Sequence, residues 1–242
     1  MHRASCPAVD RNRLLMLGGA IAAAIVVVVV LVAFVGGGSK SSTTPTVTNA
    51  AGGGTEAPDT FERLPQDGDT LGKASAPLAL YVFEDPQCPY CRQWNIDTLP
   101  TVVRNYVRTG RVKIVYRGIE VIGPNSIAGL RAVYAAGLQD KLWQMSEALY
   151  ERQGAEQSGW ITIDVIKDAA REIGANPGKL LKDADSPAVT AKLDEAARLA
   201  SHYGINSTPA FGYQKQLGTL QPLRIGGLEP ADFTPGLDAA LR

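Results

Sequence analysis

The longest uninterrupted run of apolar positions covers residues 14–35, with no charge among them. As a helix rising about 1.5 Å per residue it would reach roughly 33 Å, enough to cross the hydrocarbon core of a bilayer. Residues 36–58 are Gly, Ser, Thr, Ala and Pro with almost no apolar bulk, so they read as a flexible tether. From Phe61 the pattern is that of a folded domain. Residues 78–83 (Leu-Ala-Leu-Tyr-Val-Phe) form a continuous apolar run, which predicts a strand covered on both faces. Trp94, Leu99, Val102, Val103, Tyr106 and Val107 then recur at helical spacing, predicting a helix over 92–107 with a kink at Pro100. Residues 111–116 alternate like a second strand. Four helices are predicted over 125–138, 141–153, 163–173 and 188–203, with Gly174, Pro177 and Gly204 between or after them. Strands return at 210–213 and at 223–225, the latter ended by Gly226-Gly227, before a last helix over 230–241. The succession predicts an α/β domain over residues 59–242, interrupted by a helical insertion at about 124–203.

Composition and charge narrow this picture. A chain of 242 residues with 45% hydrophobic content can bury a substantial core, and about one domain remains once the N-terminal segments are set aside. Lys+Arg 24 balance Asp+Glu 24 and no long basic block occurs, which argues against a nucleic-acid partner. Arg3, Arg11 and Arg13 precede the long apolar run, whereas Lys40 stands alone just after it. By the positive-inside rule, residues 1–13 form a cytoplasmic arm, residues 14–35 a single membrane span, and the domain lies outside the cytoplasm. A cleaved signal peptide is the competing reading, but the apolar core of such peptides is about 7–15 residues, shorter than this one. Cys6 falls before the span and reads as an incidental thiol.

The candidate chemistry is Cys88-Pro89-Tyr90-Cys91, set between the first strand and the first helix. A sulfur at a helix N-terminus meets unpaired N–H groups that favour the thiolate, the form that attacks disulfides and leaves mixed disulfides. A purely structural bridge closing so short a loop would stabilise little. Zinc needs four nitrogen or sulfur ligands, and beyond this pair the chain offers only Cys6, His2 and His202. No metal and no separate cofactor is therefore expected; the dithiol itself is the redox centre. The position of the motif predicts an exposed Cys88 as nucleophile and a covered Cys91 as resolving thiol. Glu84 and Asp85, just ahead, are either proton-transfer groups for Cys91 or a solvated turn. Trp94 reads as core, His202 as a helix-end residue, and Arg92 as a solvated neighbour of Cys91.

Phe-Glu-Asp-Pro-Gln-Cys-Pro-Tyr-Cys, a helical insertion, then Tyr-Gly-Ile-Asn-Ser-Thr-Pro-Ala-Phe and Ile-Gly-Gly, together resemble the extracytoplasmic thioredoxin-fold oxidoreductases of the DsbA type, and most of all their membrane-tethered bacterial members. The likeness covers about residues 71–242. It implies that Thr208-Pro209 is a cis-proline turn lying against the dithiol, with Thr208 offering its main chain to an extended substrate beside Pro89 and Tyr90. It implies oxidation of unfolded or reduced secreted proteins, with a quinone-linked membrane partner restoring the disulfide. Disulfide reduction or isomerisation on the same fold, and a non-catalytic peptide-binding or chaperone module, are the alternatives. Pro-Tyr and Gly226-Gly227 are also similar to features of glutaredoxins, but the span and the insertion speak against that family.

Overall fold

A computed structural model describes residues 60–242. The expected arm, span and tether at 1–13, 14–35 and 36–58 lie outside the described residues, among which no helix is long and apolar enough to cross a membrane.

The chain enters through two short strands, β1 (Gln66–Asp67) and β2 (Thr70–Leu71), which the sequence pattern does not signal because each has only two residues. β3 (Leu78–Glu84) is the apolar run, buried at every position but Tyr81. It lies in the middle of a six-stranded sheet, next to β4 (Val112–Gly118) on one side and β5 (Ala210–Lys215) on the other. A strand with neighbours on both edges and layers on both faces has no polar side to show, which is why its residues do not alternate. β3 and β4 are parallel, in the register Leu78↔Val112 to Glu84↔Gly118, and parallel neighbours require a crossover. The crossover is the helical stretch that starts at the dithiol: α1 (Pro89–Gln93), a π-helical turn (Trp94–Thr98), α2 (Leu99–Val102) and a second π-helical turn (Val103–Val107). The expected break at Pro100 takes this form. Proline has no N–H to give to a carbonyl four residues back, and the wider π turn just ahead of it lets Leu99 bond Trp94 instead.

Between β4 and β5 run only helices: α3 (Asn125–Gly137), α4 (Leu142–Glu151), α5 (Ile163–Glu172), α6 (Pro177–Ala184) and α7 (Pro187–His202). α6 is an addition to the four expected helices. Asn176 caps it through Lys179 N and Pro177 occupies its first turn, so the proline that reads as punctuation starts a helix here. Residues 223–225 are not a strand. On the outer edge of β5, pairing is limited to β6 (Gln221–Pro222) and to Leu223 N, which donates to the Phe211 carbonyl at 2.9 Å. The chain then leaves the sheet to cross α8 (Pro230–Leu241), where Arg224 O comes so close to Gly236 that a Cβ there would sit 2.3 Å from it. Trp94 is core, as expected, packed between Phe211 and Phe233 with ring centroids 4.9 and 4.4 Å away.

Candidate active site

The sheet register carries the site. β3 ends at Glu84 and hands the chain to Cys88, while β5 starts opposite Phe83, so the preceding Thr208-Pro209 arrives at the same end of the sheet. That peptide bond is cis, and the Thr208 carbonyl accepts from Cys88 Sγ at 3.2 Å across 120 positions of sequence. Pro89 begins α1 and Tyr90 projects outward, 63% exposed. A cleft of about 660 Å³ lies between the segment after β4 and helices α3 and α7, lined by Val121, Leu130 and Leu193 together with Glu120, Arg131 and Asp194, and by Asn206, two positions before Thr208 in the chain.

Both cysteines are free thiols and both are buried, Cys88 at 3% exposure and Cys91 at 0%. The expected contrast between an exposed and a covered sulfur is thus small in area, because the Thr208 loop closes over the first one. It is large in chemistry. The Cys91 thiol hydrogen-bonds Cys88, and with the N–H groups of Cys91 and Tyr90 it holds Cys88 down at about 6 against the opposing effect of burial. Cys91 is pushed well above its ordinary range, first by burial, then by the same bond to Cys88 and by the neighbouring Glu84.

Glu84 and Asp85 are no solvated turn; both side chains are buried. They are also unlike each other. Glu84 is raised to about 8 by burial, against the donors that face it. Asn95 Nδ2 donates to its Oε1 at 2.8 Å and also to Cys91 O at 3.0 Å, and Tyr150 approaches its Oε2 at 3.4 Å. Asp85 turns away from the sulfurs. Its Oδ1 accepts from Gln87 N and Ser126 Oγ, its Oδ2 from Val121 N and Ile122 N, all at 2.6–2.9 Å. Those four donors make it the clamp of the loop, and of the two acids it is Glu84 that stands beside Cys91. Arg92 is exposed but anchored through Nε to Tyr150 O at 3.0 Å, and His202 sits in the last turn of α7, far along the chain from the thiols.

Asn95, Tyr150 and Gln153 belong to the site and have no conspicuous motif. Asn95 alone carries a local signal, a polar residue four positions after Cys91 on a helix otherwise burying large apolar side chains. Tyr150 and Gln153 reach the loop from α4 and the residues after it, which no local pattern reveals. Gln153 Nε2 donates to Pro86 O at 2.8 Å and to Cys88 O at 3.0 Å.

A family model described as Thioredoxin matches residues 66–216. The chain is similar to the probable disulfide bond formation protein D of Bacillus cereus, 32% identical over 105 residues, 43% of this chain and 49% of that protein. It is 31% identical over 164 residues to the thiol:disulfide interchange protein DsbG of Escherichia coli, 67% of this chain and 54% of that protein. The matches thus span about half the length of these two relatives. Among solved structures, oxidised BdbD from Bacillus subtilis superposes with a TM-score of 0.61 at 22% identity, covering 72% of this chain and 91% of that one. A central strand that delivers a Cys-Pro-Tyr-Cys pair to a helix start, faced by a cis-proline turn, is where the matched region and the geometry meet, and on both grounds the chain belongs to the thioredoxin family.

Proposed function

We propose that the protein is a thiol-disulfide oxidoreductase of the DsbA type, acting as an oxidase outside the cytoplasm and tethered by residues 14–35. The observation that carries the reading is the pairing of a low-pKa Cys88, held against Thr208, with a covered, high-pKa Cys91 backed by Glu84. In the oxidising direction, a substrate thiolate attacks Cys88 Sγ of the Cys88–Cys91 disulfide. Cys91 leaves and takes a proton, which Glu84 holds at neutral pH. A second substrate thiolate then attacks the mixed disulfide at the substrate sulfur and expels Cys88, which leaves readily because its thiolate is stabilised. Two electrons pass from the substrate to the cysteine pair, and a quinone-linked membrane partner takes them on. The exposed Tyr90 and the Thr208 edge beside Cys88 support a polypeptide as the substrate, here an unfolded secreted protein.

The direction of flow follows from the same sulfur. A stabilised thiolate favours the reduced state of the enzyme, so its disulfide is readily given away. The reduction potential is expected nearer the roughly −120 mV of DsbA than the roughly −270 mV of thioredoxin, a span worth about 7 kcal/mol, and a glutathione titration measures it. A value near thioredoxin's would turn the reading into that of a reductase. Activity itself is tested by trapping: Cys91→Ser accumulates reducible adducts between Cys88 and exported proteins, whereas Cys88→Ser accumulates almost none. Adducts with cytoplasmic proteins would contradict the placement outside the cytoplasm. An absence of adducts in both variants would favour the non-catalytic peptide-binding alternative.

A further inference from the structure

The nucleophile stands on a tight turn that has few donors of its own. Cys88 N closes the turn onto Asp85 O at 2.9 Å and Gln87 N bonds Asp85 Oδ1, but Pro86 and Pro89 have no N–H at all. The carbonyls of Pro86 and Cys88 both accept from the single amide nitrogen of Gln153. Two hydrogen bonds from one planar group fix a position and an orientation, so the turn cannot rotate without losing one of them. Cys88 O is also the acceptor of the first helical bond, from Arg92 N at 3.1 Å, and its orientation sets where the next N–H groups point.

Gln153 is itself held firmly. It follows α4, whose end is fixed by Arg152 through the Ala148 carbonyl and an ion pair with Glu172. Its N–H bonds Tyr150 O at 3.2 Å, and Gly154 lies so close under Trp160 that a Cβ would stand 2.7 Å from that side chain. The inference rests on the oxidoreductase reading above. We propose that Gln153 is a positioning residue for Cys88, through which the helical insertion holds the nucleophilic sulfur against the N–H groups at the start of α1. The insertion thereby takes part in setting the redox poise of a dithiol that lies outside it in sequence.

The test uses Gln153→Met, which keeps the length and removes the donors, and Gln153→Glu, which replaces donors by acceptors facing two carbonyls. Cys88 ionisation is followed by thiolate absorbance against pH, the glutathione equilibrium is measured at pH 7, and thermal unfolding reports the fold. Both variants are expected to raise the Cys88 midpoint by about half a unit to one unit, Gln153→Glu the more. A full unit, from about 6 to about 7, removes roughly fivefold of thiolate stabilisation at pH 7. The equilibrium constant for reducing the disulfide falls by the same factor, about 20 mV for a two-electron couple. Arg152→Met, which loosens the same end of α4 but leaves both donors of Gln153 in place, is expected to move both quantities by less than either Gln153 variant does. The proposal is overturned if either folded Gln153 variant keeps the parent's midpoint and equilibrium constant, if Arg152→Met moves them as far, or if both Gln153 variants fail to fold. A parent protein without a low-pKa thiol would instead refute the function proposed above, before any variant is made.

Discussion

Glu84 keeps its proton to about pH 8 because burial removes the water that would solvate its charge, while Cys88 loses its own near pH 6 because donors surround its sulfur. The two act on stability with opposite signs. A carboxyl raised from 4.5 to about 8 holds a proton that the unfolded chain has released, so its contribution is full below about pH 4.5 and is lost as pH rises through 8. A thiol lowered from 9.0 to about 6 contributes above about pH 9 and loses that contribution as pH falls through 6. Between about pH 6 and 8 the slopes cancel in the dithiol form, whereas in the disulfide form only the fall due to Glu84 remains. Urea midpoints of the reduced and oxidised protein from pH 5 to 9 are expected to diverge accordingly, with the reduced form gaining. Glu84→Gln should abolish the fall in the oxidised form. It should also slow disulfide exchange by tenfold or more, toward the ~10²–10⁴ that a positioned proton-transfer group supplies. Unchanged exchange kinetics in that variant would remove Glu84 from the mechanism.

At the scale of elements, the loop between β3 and α1 is shaped by residues distant in sequence. Asp85 gathers N–H groups from Gln87, Val121 and Ile122 and the hydroxyl of Ser126, tying the loop to the segment that follows β4 and to the first turn of α3. Buried donors left without their acceptor cost about 1–3 kcal/mol each when no water replaces it. Asp85→Ala is therefore expected to destabilise the protein by about 3 kcal/mol or more in chemical denaturation, while its neighbour Glu84→Gln costs little. A loss under about 1 kcal/mol would show that the loop holds its shape without Asp85. The helix after the dithiol makes the same point about backbone. Its π turns place Asn95 and Thr98 inward, Asn95 toward Glu84 and Cys91 O, Thr98 toward the Leu228 carbonyl.

Across the whole domain, the insertion is joined to the sheet by an ion network with a buried Arg117–Asp69 pair at its centre and half-exposed partners on α7. Arg117, on β4, pairs with Asp69 at 2.6 Å and with Glu195 of α7 at 2.9 Å, and Lys192 of α7 pairs with Asp69 at 2.9 Å. Asp69 lies in the β1–β2 turn, so three parts of the chain meet at one guanidinium, which also stacks over Tyr81. Removing one partner of a buried pair leaves the other charge uncompensated, at a cost of about 3–5 kcal/mol. Arg117→Met is expected to lose less than that, about 2 kcal/mol in urea or guanidinium unfolding, because Lys192 still faces Asp69. Replacing Asp69 and Arg117 together by apolar residues should cost less than the sum of the two single changes, since neither charge is then left unpaired.

The sequence by itself determined the apolar strand at 78–83, the helical face after it, the run of helices before the last strand and the dithiol at a strand-to-helix junction. Each of these is written in local periodicity or in residues a few positions apart. It also supported Thr208-Pro209, though only through resemblance, because nothing local ties that turn to a cysteine 120 positions earlier. Tertiary structure alone decided which of two adjacent acids faces Cys91. Glu84 closes the strand and points into the protein beside Asn95, whereas Asp85 is drawn to N–H groups on a loop whose position depends on β4 and α3. It decided as well that Cys88 is covered, and that a glutamine on the insertion grips its turn. Burial, and hydrogen bonds between distant segments, arise only when the sheet register and the helix packing bring those segments together, and a linear pattern carries no record of that meeting.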